Sequence, residues 1–222
     1  EGLTHAFFVP GGLIDPFLED LAATPGLTPV VAAHEGGAAC MADGYARASG
    51  RFGLCLCIGG PGVTNTLTGV VAAATDNSPV LLVSGQVPTN WEGRGGFQDS
   101  SPATLNDLGM LGPAVLKSLS VENIHLAGHH LRAALTAMLA GAQGPVHLSL
   151  PLDVQCGDVA RPWTPLDTSL YRPRVLDPEA LERALDILAP PGGEAAPERV
   201  AILAGAGVEK SECSGELLRF AE

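Results

Sequence analysis

Residues 54–85 read LCLCIGGPGVTNTLTGVVAAATDNSPVLLVSG, and they give the clearest indication of the fold class. Two apolar runs, LCLCI at 54–58 and PVLLVSG at 79–85, are separated by a glycine-rich turn and a helical pattern from about Val63. Short apolar runs with a helix between them are typical of parallel strands, because parallel neighbours need a crossover connection. The stretch therefore predicts one strand–helix–strand unit of a parallel sheet.

The same alternation extends through the first 155 residues. The apolar runs HAFFV, PVVAA and VHLSLP alternate with helical patterns in IDPFLEDLAA, after Glu35 and from Leu131 to Leu139. Strands and helices that alternate in this way form a sheet whose faces are covered by the helices. We therefore predict an α/β fold for residues 1–155, a parallel sheet with helices on both faces.

Residues 156–222 do not continue the regular alternation of strands and helices. Residues 156–176 contain several prolines and little periodicity, which predicts a linker. The chain continues with a predicted helix, DPEALERALDILA, a loop, PPGGEAAP, a strand, RVAILAGAG, and a helix, SGELLRFAE. One strand cannot complete a sheet, so residues 177–222 are interpreted as the incomplete start of a second α/β domain, and the chain as a fragment.

Charge and composition exclude several partners. Acidic residues outnumber basic ones 24 to 12 and give a net charge of −12, which disfavours binding to nucleic acid. The apolar runs are too short to cross a bilayer, so we expect a soluble, cytoplasmic protein with no membrane partner. The five cysteines contain no CxxC pair and are interpreted as small core residues. No metal site is expected, because His125, His129 and His130 have no ligand-spaced cysteine nearby.

Two glycine-rich turns follow predicted strands, FFVPGGLID at 7–15 and CIGGPGVTNTLTG at 57–69. Such turns bind phosphate at helix N-termini, but neither has the GK[ST] of a P-loop or the GxGxxG of a dinucleotide site. The residues alone leave open a non-catalytic nucleotide-binding or regulatory α/β module. That alternative predicts a phosphate site at Gly59–Gly62 and no special role for Glu35.

Four stretches, taken in order, resemble the pyrimidine-binding domain of thiamine-diphosphate enzymes of the acetolactate synthase group. They are FFVPGG, HEGGAACMADGYARASGRFG, GGPGVTNTLTGVVAAATDNSPVLLVSGQVPT and GGFQDSSP. The resemblance runs from about residue 2 to Gln155, and the tail from about residue 177 resembles the start of that family's central domain. It implies a carboligase or decarboxylase that acts on a 2-oxo acid such as pyruvate.

The resemblance assigns the chemistry to Glu35. In this family the corresponding glutamate hydrogen-bonds N1′ of the cofactor's aminopyrimidine and favours the imino tautomer, which removes the proton from C2 of the thiazolium. Small and apolar neighbours that keep water away would favour this proton exchange. Without the resemblance, Glu35 is an acid at a helix N-terminus, where it complements the helix dipole.

The resemblance also implies the rest of the site. Three residues are expected to line the pyrimidine pocket: Pro61, Gly62 and Asn65. Four are expected near the substrate: Gly11, Gly12, Phe97 and Gln98. A phenylalanine in a loop also suits a packing anchor. Mg²⁺ and the diphosphate are expected on a third domain absent from this chain, and FAD is compatible with the family but not indicated.

A homodimer or homotetramer is expected, since the family binds its cofactor between subunits. The predicted contact is a row of small residues on the helix that follows Glu35: Gly36, Gly37, Ala38, Ala39, Ala42, Ala46 and Ala48. The alternative is a helix packed on its own sheet. Three further residues of this helix are expected to stabilise it and a subunit contact: Asp43, Tyr45 and Arg47.

Three departures from the family pattern bear on the substrate. Acetolactate synthases usually have HEQGA, FQE and PKD, whereas this chain has Gly36, Asp99 and Leu152 at the differing positions. Related decarboxylases often carry adjacent histidines near the position of Gln98, and the pair here, His129–His130, lies on a later helix. The chemistry is therefore better defined than the substrate. A family member that has lost catalysis and serves as an assembly subunit stays an alternative.

Overall fold

A computed structural model of the chain describes four segments: residues 1–159, 161–167, 177–189 and 200–222. They belong to two compact units, Glu1–Arg172 and Pro173–Glu222. Described residues of the predicted linker are part of the first unit, where Leu166 is buried and Trp163 Nε1 donates to a carboxylate oxygen of Glu1 at 2.9 Å. The domain limits at residues 155 and 177 stay a prediction.

The first unit is built on a six-stranded sheet in which all neighbouring strands are parallel. Its strands are β1 (His5–Phe8), β2 (Thr28–Val31), β3 (Gly53–Ile58), β4 (Val80–Gln86), β5 (Lys117–Ser120) and β6 (Val146–Pro151). They lie in the order β2-β1-β3-β4-β6-β5. The predicted α/β fold is confirmed. Strand β5 was not predicted, because KSLS is short and three of its four residues are polar.

The helices of this unit are α1 (Asp15–Ala23), α2 (Glu35–Ser49), α3 (Pro61–Thr75), α4 (Asp107–Leu111), α5 (Ile124–Leu139) and α6 (Leu152–Gln155). Helix α5 begins before the periodic positions noted from Leu131, because Asn123 caps it by accepting a hydrogen bond from the backbone nitrogen of His125 at 2.9 Å. Among the described residues, no helix is both long and apolar enough to cross a membrane.

Each face of the sheet has its own apolar core. The core shared with α1 and α5 includes Phe8, Leu56, Val83, Leu135 and Leu148. The core shared with α2 and α3 includes Phe7, Ala39, Cys55, Val70 and Leu82. Successive strand residues point to opposite faces, so neighbours such as Phe7 and Phe8 enter different cores. Helices therefore cover both faces, as predicted.

The cysteines divide into two groups. Cys55 and Cys57 of β3 are fully buried, as predicted, and burial raises the pKa of the Cys55 thiol to about 12. Cys40, Cys156 and Cys213 are exposed, so their interpretation as core residues is wrong. The strand pattern around the first two fixes which face each side chain takes, and an isolated cysteine has no such pattern.

The small residues of α2 pack against the chain's own α3 and β3. A Cβ atom at Gly69 would lie 2.7 Å from Cβ of Ala39, and one at Gly53 would lie 2.1 Å from the carbonyl oxygen of Ala42. Four residues of the predicted subunit contact are buried within the unit: Ala38, Ala39, Ala42 and Ala46. For these four the prediction is wrong, and the helix packs on its own chain instead.

The polar residues of α2 stabilise the helix as expected. Arg47 Nη2 lies 2.7 Å from Asp43 Oδ2, and Arg47 Nε donates to Asp43 Oδ1 at 3.0 Å, one helical turn apart. The hydroxyl of Tyr45 lies 2.8 Å from Thr4 Oγ1, which ties α2 to the residues before β1. Their part in a subunit contact stays a prediction.

The described residues of the second unit form α7 (Pro178–Leu188), α8 (Ala206–Lys210) and α9 (Ser214–Ala221). Helices α7 and α9 confirm two sequence predictions. The predicted strand RVAILAGAG is wrong for its described part, since residues 200–205 form no strand and α8 begins at Ala206. A strand needs a hydrogen-bonded neighbour, and the described part of this unit supplies none. The predicted loop PPGGEAAP lies outside the described residues.

A histidine lies inside the sheet, on the strand next to the edge strand β5. His147 of β6 is fully buried, with Nε2 2.8 Å from Ser84 Oγ on β4 and Nδ1 2.8 Å from Ser118 Oγ on β5. Hydroxyls on the two neighbouring strands thus satisfy both ring nitrogens. Burial lowers the pKa of His147 to about 3, so the ring is neutral in the folded protein at pH 7.

We expect His147 to make the fold sensitive to acid. Its pKa falls from the ordinary 6.5 on folding, so its contribution to stability is present above pH 6.5 and is lost as the pH falls toward 3. Relative to His147→Gln, the wild-type protein should lose up to about 1.4 kcal/mol of unfolding free energy per pH unit in this window. Denaturant titrations of both proteins between pH 7 and 4 measure the difference. Parallel pH profiles would contradict it.

Candidate functional site

The predicted site residues lie around the carboxyl ends of the central strands. Helices α2 and α3 begin there, after β2 and β3, and the turn after β1 lies beside them. Strand β1 pairs with β2, the next strand in the chain, on one side and with β3 on the other. The crevice between β1 and β3 is therefore a topological switch point, the place where open parallel sheets bind ligands.

The start of α2 is fixed by His34. Its backbone is extended, with φ −158° and ψ 144°, and its Nδ1 accepts a hydrogen bond from the backbone nitrogen of Gly36 at 3.0 Å. His34 is therefore the N-cap of the helix, a role that serine, asparagine and aspartate take more often. Glu35 follows as the first helical residue, with its position set by this cap.

Glu35 has a partner 30 residues away in the chain. Asn65, in the first turns of α3, donates from Nδ2 to Glu35 Oε2 at 2.9 Å. A Cβ atom at Gly36 would lie 3.0 Å from the carbonyl oxygen of Asn65, so glycine at this position lets the two helix starts approach closely. The structure therefore brings together the predicted catalytic acid and one predicted pocket residue. Glu35 itself is half-buried.

The turn between β3 and α3 depends on its glycines. Gly60 has φ +63°, a conformation that residues with a side chain rarely adopt. A Cβ atom at Gly62 would lie 2.8 Å from Cγ1 of Ile58, and one at Gly59 would lie 2.8 Å from the carbonyl oxygen of Gly85. Pro61 begins α3 and is exposed. The predicted pocket residues thus form the tight entry to α3.

The turn after β1 packs against the end of β3. A Cβ atom at Gly11 would lie 2.6 Å from Cγ2 of Ile58, the same side chain that limits Gly62. Gly12 is less confined, with only Asp15 Oδ2 near, at 4.0 Å. Ile58, which the sequence analysis did not identify, therefore sets how closely the two glycine turns approach each other.

Phe97 and Gln98 lie on a loop that Asp99 anchors. The carboxylate of Asp99 accepts hydrogen bonds from the backbone nitrogens of Gly93 at 2.8 Å and Ser101 at 3.1 Å. Phe97 is 81% exposed, so it is not a packing anchor within this unit. Gln98 has φ +58°, and its carbonyl oxygen would lie 3.8 Å from a Cβ atom at Gly60. The loop therefore passes beside the turn that starts α3.

A buried polar network that the sequence analysis missed lies beneath this turn. Gln86, at the end of β4, donates from Nε2 to Ser100 Oγ at 2.9 Å. Ser100 Oγ donates to Asp107 Oδ2 at 2.6 Å, and the backbone nitrogen of Gly60 donates to the same oxygen at 3.1 Å. Burial raises the pKa of Asp107 to about 6, although both hydrogen bonds favour the carboxylate. No motif marks these residues in the sequence.

This network disfavours the phosphate site of the alternative interpretation. The backbone nitrogen of Gly59 donates to the carbonyl oxygen of Gly85 at 2.7 Å, and that of Gly60 donates to Asp107. Two amides of the proposed phosphate site are therefore already paired, one of them with an acid that would repel an anion. The turn is better suited to a neutral or cationic ligand group.

The side chains at the crevice fit a flat nitrogen heterocycle. Glu35 offers a carboxylate that can pair with a ring nitrogen, and Asn65 orients this carboxylate through its hydrogen bond. Among the described residues, no group of three or more His, Cys, Asp or Glu side chains could hold a metal ion. Fold and site together define a cofactor-binding α/β domain with an acid beside a glycine-lined crevice.

Sequence comparisons place this domain in a family. Residues 1–106 match the sequence model described as "Thiamine pyrophosphate enzyme, N-terminal TPP binding domain". The matched segment belongs to the N-terminal thiamine-pyrophosphate-binding domains of thiamine pyrophosphate enzymes. The resemblance of the four sequence stretches to the acetolactate synthase-like family is confirmed.

Relatives align along the whole chain. It is 37% identical over 227 residues to a probable acetolactate synthase large subunit of Methanocaldococcus jannaschii. It is 32% identical over 228 residues to the glyoxylate carboligase of Escherichia coli O157:H7. Both alignments cover 100% of this chain and 36% of the relative. The crystal structure of benzoylformate decarboxylase from Polynucleobacter necessarius shares the fold, with a TM-score of 0.75 and 22% identity over 99% of this chain and 39% of that one.

Proposed function

We propose that this chain is the cofactor-activating part of a thiamine-diphosphate-dependent carboligase or decarboxylase that acts on a 2-oxo acid such as pyruvate. The observation that carries the proposal is the 2.9 Å hydrogen bond from Asn65 Nδ2 to Glu35 Oε2 at the switch point of the sheet. Relatives named acetolactate synthase and glyoxylate carboligase support the reaction class. The chain spans 36% of their length, so the proposal concerns the whole protein.

Glu35 exchanges a proton with N1′ of the aminopyrimidine in this proposal. The bound thiamine diphosphate supplies a nucleophilic carbon and accepts the electrons released on decarboxylation. Asn65 holds Oε2 of Glu35 in place, and Oε1, which has no hydrogen bond to the described residues, can pair with the ring nitrogen. A positioned acid–base group of this kind contributes about 10²- to 10⁴-fold to a rate.

The remaining site residues confine the cofactor and receive the substrate. Pro61 and Gly62 border the ring at the start of α3, and Gly11 and Gly12 approach from the turn after β1. Phe97 suits the substrate side, since an aromatic ring that is 81% exposed contributes little to packing of this unit. Magnesium and the diphosphate are assigned in this proposal to another domain of the whole protein, since this chain spans 36% of the length of its relatives.

Calorimetric titration with thiamine diphosphate and Mg²⁺ tests this assignment. The full-length protein should bind the cofactor, because it would supply both the pyrimidine crevice and the diphosphate site. The 222-residue chain by itself should neither reach sub-micromolar affinity nor turn over a 2-oxo acid. Sub-micromolar binding by the chain alone would show that the diphosphate needs no further domain.

The protein is further proposed to form a homodimer or homotetramer through the exposed side of α2 and α3. Met41 of α2 is 44% exposed, and Leu67 and Val71 of α3 are 37% and 46% exposed. A Cβ atom at Gly37 or Gly44 would meet nothing within 4 Å, so this side of α2 is open to close approach. Exposed apolar side chains on two adjacent helices favour a helix-packing interface over the buried alanine row.

Val71→Asp is expected to weaken self-association about tenfold or more, because it places a charge in an apolar contact. Sedimentation of the full-length protein at tens of micromolar measures the effect. Leu126→Asp is the matched control, since Leu126 of α5 is 48% exposed and lies outside the proposed contact. A monomeric wild-type protein, or an unchanged oligomer in Val71→Asp, would contradict the assigned surface.

A further inference from the structure

Three buried polar side chains connect the segments that surround the crevice. Gln86 is 2% exposed, and Ser100 and Asp107 are 1% exposed. They come from the end of β4, from the loop after Asp99 and from the start of α4. Gln86 Oε1 accepts from the backbone nitrogens of Val87 at 2.9 Å and Ser100 at 3.2 Å, so the network also fixes the loop backbone.

Asp107 links this network to α3. Gly60 is the N-cap of α3 and provides no side chain to satisfy the first amides of the helix. Asp107 Oδ2 accepts the hydrogen bond of the Gly60 backbone nitrogen at 3.1 Å, from 47 residues further along the chain. A carboxylate at this end also complements the positive end of the helix dipole. Asp107 thus holds the N-cap residue of α3 by its backbone nitrogen, from a distant part of the chain.

We propose that Asp107 is a positioning residue for the cofactor site. It holds Gly60 and the first turn of α3, and through them the position of Asn65 relative to Glu35. The inference rests on the function proposed above, because that function identifies thiamine diphosphate as the ligand of the crevice. Asp107 does not contact the cofactor in this proposal and acts only through the turn.

The hydrogen bonding of the buried Asp107 carboxyl group supports a role beyond packing. Its Oδ1 is buried and has no hydrogen-bond partner among the described residues, while Oδ2 accepts two hydrogen bonds. A buried carboxyl group with one unpaired oxygen is unfavourable for folding. Two donors, the backbone of Gly60 and the hydroxyl of Ser100, converge on the other oxygen, so the acid joins the turn of α3 to the loop that carries Ser100.

Removing the carboxyl group should therefore disturb the crevice. Asp107→Ala leaves the Gly60 amide and the Ser100 hydroxyl buried without this acceptor, so the turn at Gly60 is free to move. Misplacement of a positioning group by about 1 Å can cost 10²-fold in rate. Asp107→Asn keeps an oxygen that can accept from Gly60, so most of the positioning should be rescued.

Titration of the full-length protein with thiamine diphosphate and Mg²⁺, together with thermal midpoints, tests the inference. Asp107→Ala should weaken cofactor binding about tenfold or more, and Asp107→Asn about threefold or less. His147→Ala is the control, because it also removes a buried group bound to two partners but lies within β6, paired with Leu82 and not with the strand ends at the crevice. Its thermal midpoint should fall while its cofactor affinity stays within about twofold of wild type.

Wild-type affinity in Asp107→Ala, with a midpoint lowered as in the control, would overturn the inference. If Asp107→Ala does not fold, Asp107→Leu decides, since a side chain of similar size fills the buried space but removes the acceptor of the Gly60 backbone nitrogen. A clear loss of affinity in Asp107→Leu supports the positioning role, and unchanged affinity overturns it. A wild-type protein that binds no thiamine diphosphate contradicts the proposed function itself, an outcome distinct from a failure of the inference alone.

Discussion

Glu35→Gln in the full-length protein is expected to slow hydrogen–deuterium exchange at C2 of bound thiamine diphosphate by about 10²- to 10⁴-fold. Glutamine keeps the size of the side chain and an oxygen that can accept from Asn65 Nδ2. A neutral amide cannot exchange a proton with N1′ as a carboxylate does, so the acid–base partner of the pyrimidine is lost. The thermal midpoint should stay nearly unchanged, because Glu35 is only half-buried.

Rapid quenching followed by NMR of the cofactor measures this exchange. Asp43→Asn is the control on the same helix, since Asp43 binds Arg47 and is not expected to exchange protons with the cofactor. Wild-type exchange in Glu35→Gln would show that Glu35 is only a helix N-terminal acid. If the wild-type protein exchanges no faster than free cofactor, the alternative of an assembly subunit without catalysis is favoured instead.

Gly85→Ala is expected to lower the free energy of unfolding by about 3 kcal/mol or more, which is at the upper end of overpacking effects. A Cβ atom at this position of β4 would lie 1.8 Å from the carbonyl oxygen of Leu13 and 2.8 Å from Cγ2 of Ile14. The clash is with backbone, so no change of rotamer relieves it. The turn that carries Gly11 and Gly12 would have to move away from the sheet.

Gly128→Ala is expected to raise the free energy of unfolding, in contrast to Gly85→Ala. Gly128 lies inside α5, and a Cβ atom there would meet nothing within 4 Å. Alanine should therefore stabilise the helix by up to about 1 kcal/mol. Denaturant unfolding of both variants measures the contrast, and a Gly85→Ala protein as stable as wild type would mean that the turn after β1 adapts easily.

The fold was largely predictable because its strands carry strong local patterns. The runs around Cys55 and Val83 are apolar, bounded by turn residues and separated by a helix, so they predict buried parallel strands whatever the rest of the chain does. Strand β5 lacks such a pattern and became a strand only by pairing with β6. Residues 200–205 have the pattern, but the described part of their unit offers no strand to pair with them.

The site was predictable only where a motif marked it. The family resemblance pointed to Glu35 and Asn65, but their hydrogen bond joins residues from two helices 30 positions apart. Asp107 carries no motif, and its contact with Gly60 arises because α4 begins beneath the turn of α3. The alanines of α2 suggested a subunit contact, and the structure shows that α3 and β3 of the same chain already cover most of them.

The sequence by itself determined the alternation of strands and helices, the parallel sheet and the acid at the start of α2. These follow from local periodicity, from capping and from turn glycines, which act over a few residues. Tertiary structure alone decided which side chain orients Glu35, which acid binds the turn before α3 and which face of α2 is left exposed. Those outcomes depend on contacts between segments tens of residues apart, and no local pattern specifies which distant groups will meet when both cores close.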